Sequence, residues 1–185
     1  MKIKRSSKCS LKFMTDKKRE ILNDVFNEYS RIVNIFIDIF WQNEFQVKDI
    51  TKEIYNIPDT WLSARMRQCA AREALSMCQS ANQNKRKTKT EQEVEQLVGD
   101  DTLFDQKIKP CHKARRMILS SQIVSIEEGR NSFDLWVILT SIGEKIKISI
   151  PVKKHRHINL FDKWQMSNSI VITRNYIQFT FEKET

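Results

Sequence analysis

Glycine is scarce in this sequence, with three in 185 residues. Glycine-rich phosphate cradles are accordingly missing: neither GxxxxGKS, GxxxxGKT nor GxGxxG occurs, which argues against a nucleotide-binding P-loop or a dinucleotide fold. The four cysteines, Cys9, Cys69, Cys78 and Cys111, include no CxxC pair. A zinc ribbon or finger therefore lacks its ligand spacing, and the thiols read as free groups of a reducing cytosol. Cys69 and Cys78, nine residues apart on an expected helix, fall on different faces. No stretch is apolar enough to span a bilayer. The opening MKIKRSSKCSLKF is charged but has no uninterrupted apolar run and no small-residue cleavage site, so no secretion signal is expected.

Positive charge is what the chain has in excess. Its 32 Lys and Arg outnumber 23 Asp and Glu, for a net charge of +9. Such an excess points to a polyanion, because each phosphate neutralised releases condensed counterions. An anionic membrane surface is the other common target. Hydrophobic residues make up 40%, enough to bury a core, so disorder of the whole chain is not expected. The length suits one domain, or a small domain with a large insertion.

Periodicity divides the chain into three parts. Residues 2–13 alternate as a strand, with Leu11 and Phe13 continuing the face of Ile3. A long helix follows over 15–43, with Thr15 or Asp16 as its cap. Its stripe of Leu22, Val25, Phe26, Tyr29, Ile32, Val33, Phe36, Ile37 and Phe40 reads as core. A connector at 44–58 leads to a second helix, from Asp59 or Thr60 to about Gln83, whose small residues predict close contact with the first. The run NKRKTK and the acidic residues after it predict a flexible solvated loop near 84–105, within which Glu91–Val98 could extend as a short helix.

From about 117 the period becomes two. Met117–Ile126, Ser132–Thr140, Lys145–Pro151, Ser169–Thr173 and Tyr176–Glu182 read as strands, with turns at 128–131, 142–144 and 174–175. Phe133, Leu135, Val137 and Leu139 share one face; Ile146, Ile148 and Ile150 share another. The isolated first strand should pair with this C-terminal sheet. The expected fold is α+β: an antiparallel, oligonucleotide-binding-like β-barrel with a helical insertion between its first and second strands. By residue number, 1–14 is the first strand, 15–110 the inserted helical lobe and 111–185 the rest of the barrel.

This layout resembles the N-terminal half of TnpB, the insertion-sequence-encoded RNA-guided nuclease, and of the type V CRISPR effectors related to it. The resemblance is carried by MKIKRSSKCSLKF leading into MTDKKREILNDVFNEYSRIVN, by LSARMRQCAAREAL, by the β-rich stretch from Glu127 to Pro151 with PVKKHRH after it, and by the closing SNSIVITRNYIQFTFEKE. It implies that the strands are a wedge barrel and the helices a recognition lobe. Together these would hold a guide-type structured RNA, the guide–target heteroduplex and the target DNA's flanking motif. In the family a RuvC-like nuclease domain begins where this sequence reaches Phe181-Glu182-Lys183-Glu184-Thr185, and its catalytic carboxylates and zinc ribbon have no counterpart here. The chain is therefore expected to bind without cleaving, with no cofactor, in a prokaryotic cytosol or nucleoid, and with a separate nuclease-domain chain as a possible partner.

Five basic groups are the candidate nucleic-acid contacts. Lys2, Lys4, Arg5, Lys8 and Lys12 line the first strand, where they track a phosphate backbone or merely protect a strand edge from aggregation. Arg65, Arg67 and Arg72 lie on the second helix, with Arg65 and Arg72 one heptad apart; they contact a heteroduplex or form an ordinary solvated face. Lys85, Arg86 and Lys87 fall in the charged loop. Lys113, Arg115 and Arg116, with His112, precede the second strand. Lys153, Lys154, His155, Arg156 and His157 form the densest cationic run. Two histidines two apart, with Asp162, also allow a metal site and a small metal-dependent nuclease, but the flanking cations repel a metal ion. Trp61, Phe161, Trp164 and Met166 read as packing residues rather than base-stacking ones. Two further readings stay open: a stand-alone DNA- or RNA-binding regulator, and a truncated transposon-encoded protein without a present role.

Overall fold

The first strand lacks a local partner, and it finds one at the far end of the sequence. The computed structural model describes residues 2–42, 50–95, 108–129 and 132–184, with the side chains of 83–95 and 168 excepted. Its elements in chain order are β1 (Lys2–Ser10), α1 (Asp16–Trp41), α2 (Lys52–Tyr55), α3 (Ala64–Glu95), β2 (Arg116–Leu119), β3 (Val124–Glu128), β4 (Leu135–Leu139), β5 (Ile148–Val152), α4 (Arg156–Asn159), β6 (Gln165–Thr173) and β7 (Tyr176–Glu184). β1 lies antiparallel to β7, from Lys2 opposite Glu184 to Ser10 opposite Tyr176. The helices are thus an insertion between the first and second strands, within an α+β fold of antiparallel sheets.

The inserted helices form because their apolar residues recur at helical spacing. All nine stripe residues of α1, Leu22 to Phe40, are buried, together with Ser30. Each large apolar side chain so buried contributes about 2 kcal/mol. Thr15 occupies the N-cap position with extended backbone, but its side chain makes no capping bond. Ala70, Ala71 and Ala74 of α3 are fully buried and let α1 approach closely. Cys69 and Cys78 are both buried, although nine residues apart, because α3 is covered by α1 on one side and by β2 on another. The α3 helix continues to Glu95, through residues expected to form a loop. Lys, Arg, Gln and Glu are strong helix formers, and Lys87/Glu91 and Lys89/Glu93 are spaced four apart. Residues 96–107, which hold the rest of that expected loop with Asp100 and Asp101, lie outside the described residues, as do the turn residues Arg130 and Asn131.

The strands form two sheets, ordered β1-β7-β6-β2 and β3-β4-β5. The strand expected over 117–126 is divided between them. Ser120-Ser121-Gln122 are turn formers, and the amides of Ile123 and Val124 both bond to the Ser120 carbonyl at 3.0 and 3.2 Å. β3 leaves that turn into the second sheet and passes close to β6 of the first. No closed hydrogen-bonded barrel is formed among the described residues.

The second sheet is fastened to the helices by the turn after β4. The Ile142 carbonyl accepts from Ser63 N–H at 2.7 Å, and Gly143 bridges to Leu62 just before α3. Gly143 has φ +151°, and a Cβ there would stand 2.2 Å from the Trp61 carbonyl oxygen, so only glycine fits. Among the described residues no helix is long and apolar enough to cross a membrane.

Candidate nucleic-acid interface

The cations of β1 and of the 153–157 run meet along one sheet edge. β1 is the outermost strand of its sheet, with Ser7 and Cys9 turned inward and Lys2, Lys4 and Lys8 exposed. After β5 the chain doubles back, and the Lys154 amide bonds to Asp134 Oδ2 at 2.8 Å. His155 then takes the N-cap position of α4, where its Nδ1 accepts from the His157 amide at 3.2 Å. That leaves Nε2 as the protonated nitrogen, and it donates to the Lys8 carbonyl at 2.7 Å. The His157 Nδ1 lies 2.9 Å from the buried Ser7 hydroxyl. Residues 147 and 150 positions apart are joined in this way.

Both ring nitrogens of His155 are committed to hydrogen bonds, so neither offers a lone pair to a metal ion. Asp162, the expected third ligand, instead lies 3.6 Å from Lys154 Nζ. Among the described residues no group of three or more His, Cys, Asp or Glu is placed to hold a metal ion.

The candidate cations differ in what they touch. Lys2 and Lys4 bridge to Glu182 at 2.5 and 2.7 Å, and their hydrogen bonds hold its carboxyl below the ordinary glutamate value. Lys8 lies over the Tyr176 ring at 4.7 Å. Lys12 and Lys153 both lie over the Phe13 ring, at 5.0 and 5.3 Å. Arg5 and Arg156 are exposed and have no ion pair among the described residues. On α3, Arg72 is exposed and Arg65 reaches the Gln122 carbonyl at 3.1 Å. Arg67 departs from the expected solvated face: it is half-buried, and its Nε has no hydrogen-bond partner among the described residues. Lys113 and Arg115 are exposed next to β2. Lys85, Arg86 and Lys87 lie in the helical part of α3, with side chains outside the described ones.

His112 and Arg116 belong to a different arrangement. His112 is 5% exposed, sealed between the helices. Asn34 clamps its backbone, donating to its carbonyl at 3.0 Å and accepting from its amide at 2.8 Å. Ser30 donates to the same carbonyl at 3.0 Å and meets His112 Nδ1 at 3.0 Å. The other ring nitrogen faces Glu73 Oε1 at 3.5 Å, and Arg116 Nε approaches that oxygen to 3.3 Å. Tyr29 donates to Glu73 Oε2 at 2.9 Å. Burial pushes the Glu73 carboxyl up; His112, the Tyr29 hydroxyl and Arg116 outweigh it and hold the group below its ordinary value. Burial and the Glu73 charge push the Tyr29 phenol up.

Among the aromatic candidates, Phe161 is buried and stacked on Phe181 at 4.9 Å, and Trp61, Trp164 and Met166 pack half-buried against the core. Three further rings lie outside that core packing. Phe13, Phe133 and Trp136 are half-buried and pack edge to face in series, at 5.4 and 5.7 Å. Phe133 misses the core face its parity predicts because β4 begins only at Leu135. A phenylalanine two residues ahead of a buried alternation, after a Gly-containing turn, was the available signal. No protein-family model matches the chain, and a search of curated proteins finds no match.

Proposed function

We propose that the chain is the nucleic-acid-binding module of a TnpB-like RNA-guided DNA-targeting system. In this reading it holds a guide-type RNA scaffold and target DNA and does not cleave them. Its two antiparallel sheets correspond to an oligonucleotide-binding-like wedge, and α1 and α3 to a recognition lobe. The observation that carries the reading is that His155 and His157 tie the basic 153–157 run to β1 at Lys8 and Ser7, with Lys12 and Lys153 together over the Phe13 ring past the end of that strand. A solvated edge protected only against aggregation needs charges on one strand. Here a second basic segment is tied down beside the first, as a phosphate-tracking surface requires.

The test is a salt series of binding to a structured RNA, with the wild-type chain and with Lys8, Lys12, Lys153 and Arg156 each replaced by Ala. Each contact removed should lower the slope of log K against log salt by about 0.7–0.9. The RNA should stay intact with added Mg²⁺ or Mn²⁺. A slope unchanged in all four variants would remove this edge from the interface.

A further inference from the structure

We infer that Phe13, Phe133 and Trp136 form a stacking platform for unpaired bases of a single strand, resting on the nucleic-acid reading above. The three rings come from the loop before α1, the loop before β4 and β4 itself. None belongs to the buried core, and each keeps part of its surface open. Their edge-to-face series leaves rings at steep angles, 64° between the phenylalanines and 77° between Phe133 and Trp136.

The surrounding charge selects the partner. Lys12 and Lys153 stand over Phe13, Lys153 also lies 5.9 Å over Phe133, and Lys18 lies 5.8 Å over Trp136. Lys18 is fixed at the Ser149 carbonyl at 2.6 Å, whereas Lys12 and Lys153 are exposed. An arriving base takes the ring face, and the displaced ammonium groups move to the adjoining phosphates. Glu127, opposite Trp136 across the β3–β4 ladder, bounds the platform with a carboxylate. Rings for bases beside lysines for phosphates is the pattern of sequence-tolerant single-strand binding, with either sugar. The platform adjoins the β1 edge through Lys12 and Lys153, so one strand could run over both.

The experiment measures the affinity of the whole 185-residue chain for 12-nucleotide oligo(U) and oligo(dT), and for an abasic strand of equal length and charge. Wild type should bind both base-bearing strands roughly 10-fold or more tightly than the abasic one. Phe133→Ala and Trp136→Ala should remove most of that difference while leaving abasic binding and the salt slope unchanged. Phe133→Tyr and Trp136→Phe should keep it. Equal wild-type binding of base-bearing and abasic strands overturns the platform and leaves the basic-edge reading standing, and this comparison needs no variant to fold. Failure to bind any of the three at low salt overturns both.

Discussion

Two segments carry nearly the same chemical texture, histidine among lysines and arginines: 112–116 and 153–157. The fold uses them in opposite ways. His112 is sealed beneath the helices because α1 and α3 offer it partners: Ser30 and Asn34, one helical turn apart, and Glu73. His155 and His157 lie exposed, with the Lys8 carbonyl and the Ser7 hydroxyl at a strand edge as their partners. A buried polar group must be matched, and an exposed cation needs no match. Whether a basic run becomes a staple or a surface is thus decided by the elements it meets rather than by its own composition.

The comparison breaks most visibly at Glu73. Replacing it with Ala leaves the Tyr29 hydroxyl and His112 buried without their carboxylate, and should cost about 3–5 kcal/mol in urea unfolding at neutral pH. A loss below about 1 kcal/mol would show that the cluster is not a staple. The same carboxyl predicts an acid effect. Its folded pKa is lowered, so its stabilisation is present above the unfolded value and is lost as pH falls through the folded one. The wild-type chain should therefore lose stability below the ordinary glutamate range more steeply than Glu73→Gln.

A smaller effect is expected in the exposed segment. His155→Ala removes the bonds to the Lys8 carbonyl and the His157 amide, both solvent-accessible, and should cost about 1 kcal/mol. It should still weaken RNA binding, because Lys153 and Arg156 lose their place beside β1. Arg156→Ala sharpens the contrast further: it should leave the unfolding midpoint unchanged and lower only the salt slope. A shifted midpoint would mean that this arginine is structural.

Much of this arrangement was legible in the sequence where a long period gave repeated votes. All nine stripe residues of α1 are buried, and the orphan first strand does pair with the last. Leu135, Val137 and Leu139 share the expected buried face. The misses fall where a local rule yields to its neighbours. The turn at Ser120 falls in the only polar run of 117–126, Ser120-Ser121-Gln122, between apolar stretches that each suit a strand, so one long strand is expected across it. The polar composition of 84–95 suggested a loop although the residues favour helix. His112 could not be told from His155, because Ser30, Asn34 and Glu73 are distant in sequence. Phe133 and Trp136 have opposite parity, and Phe13, which meets Phe133, is distant in sequence, so strand periodicity alone does not group the three rings.

The most direct test of the central claim is to purify the chain with its bound nucleic acid, wash across a salt series and sequence what remains. One discrete structured RNA, released only at high salt, is the predicted result. Heterogeneous nucleic acid released at modest salt would contradict a guide-binding module and leave a surface that attracts polyanions without selecting among them.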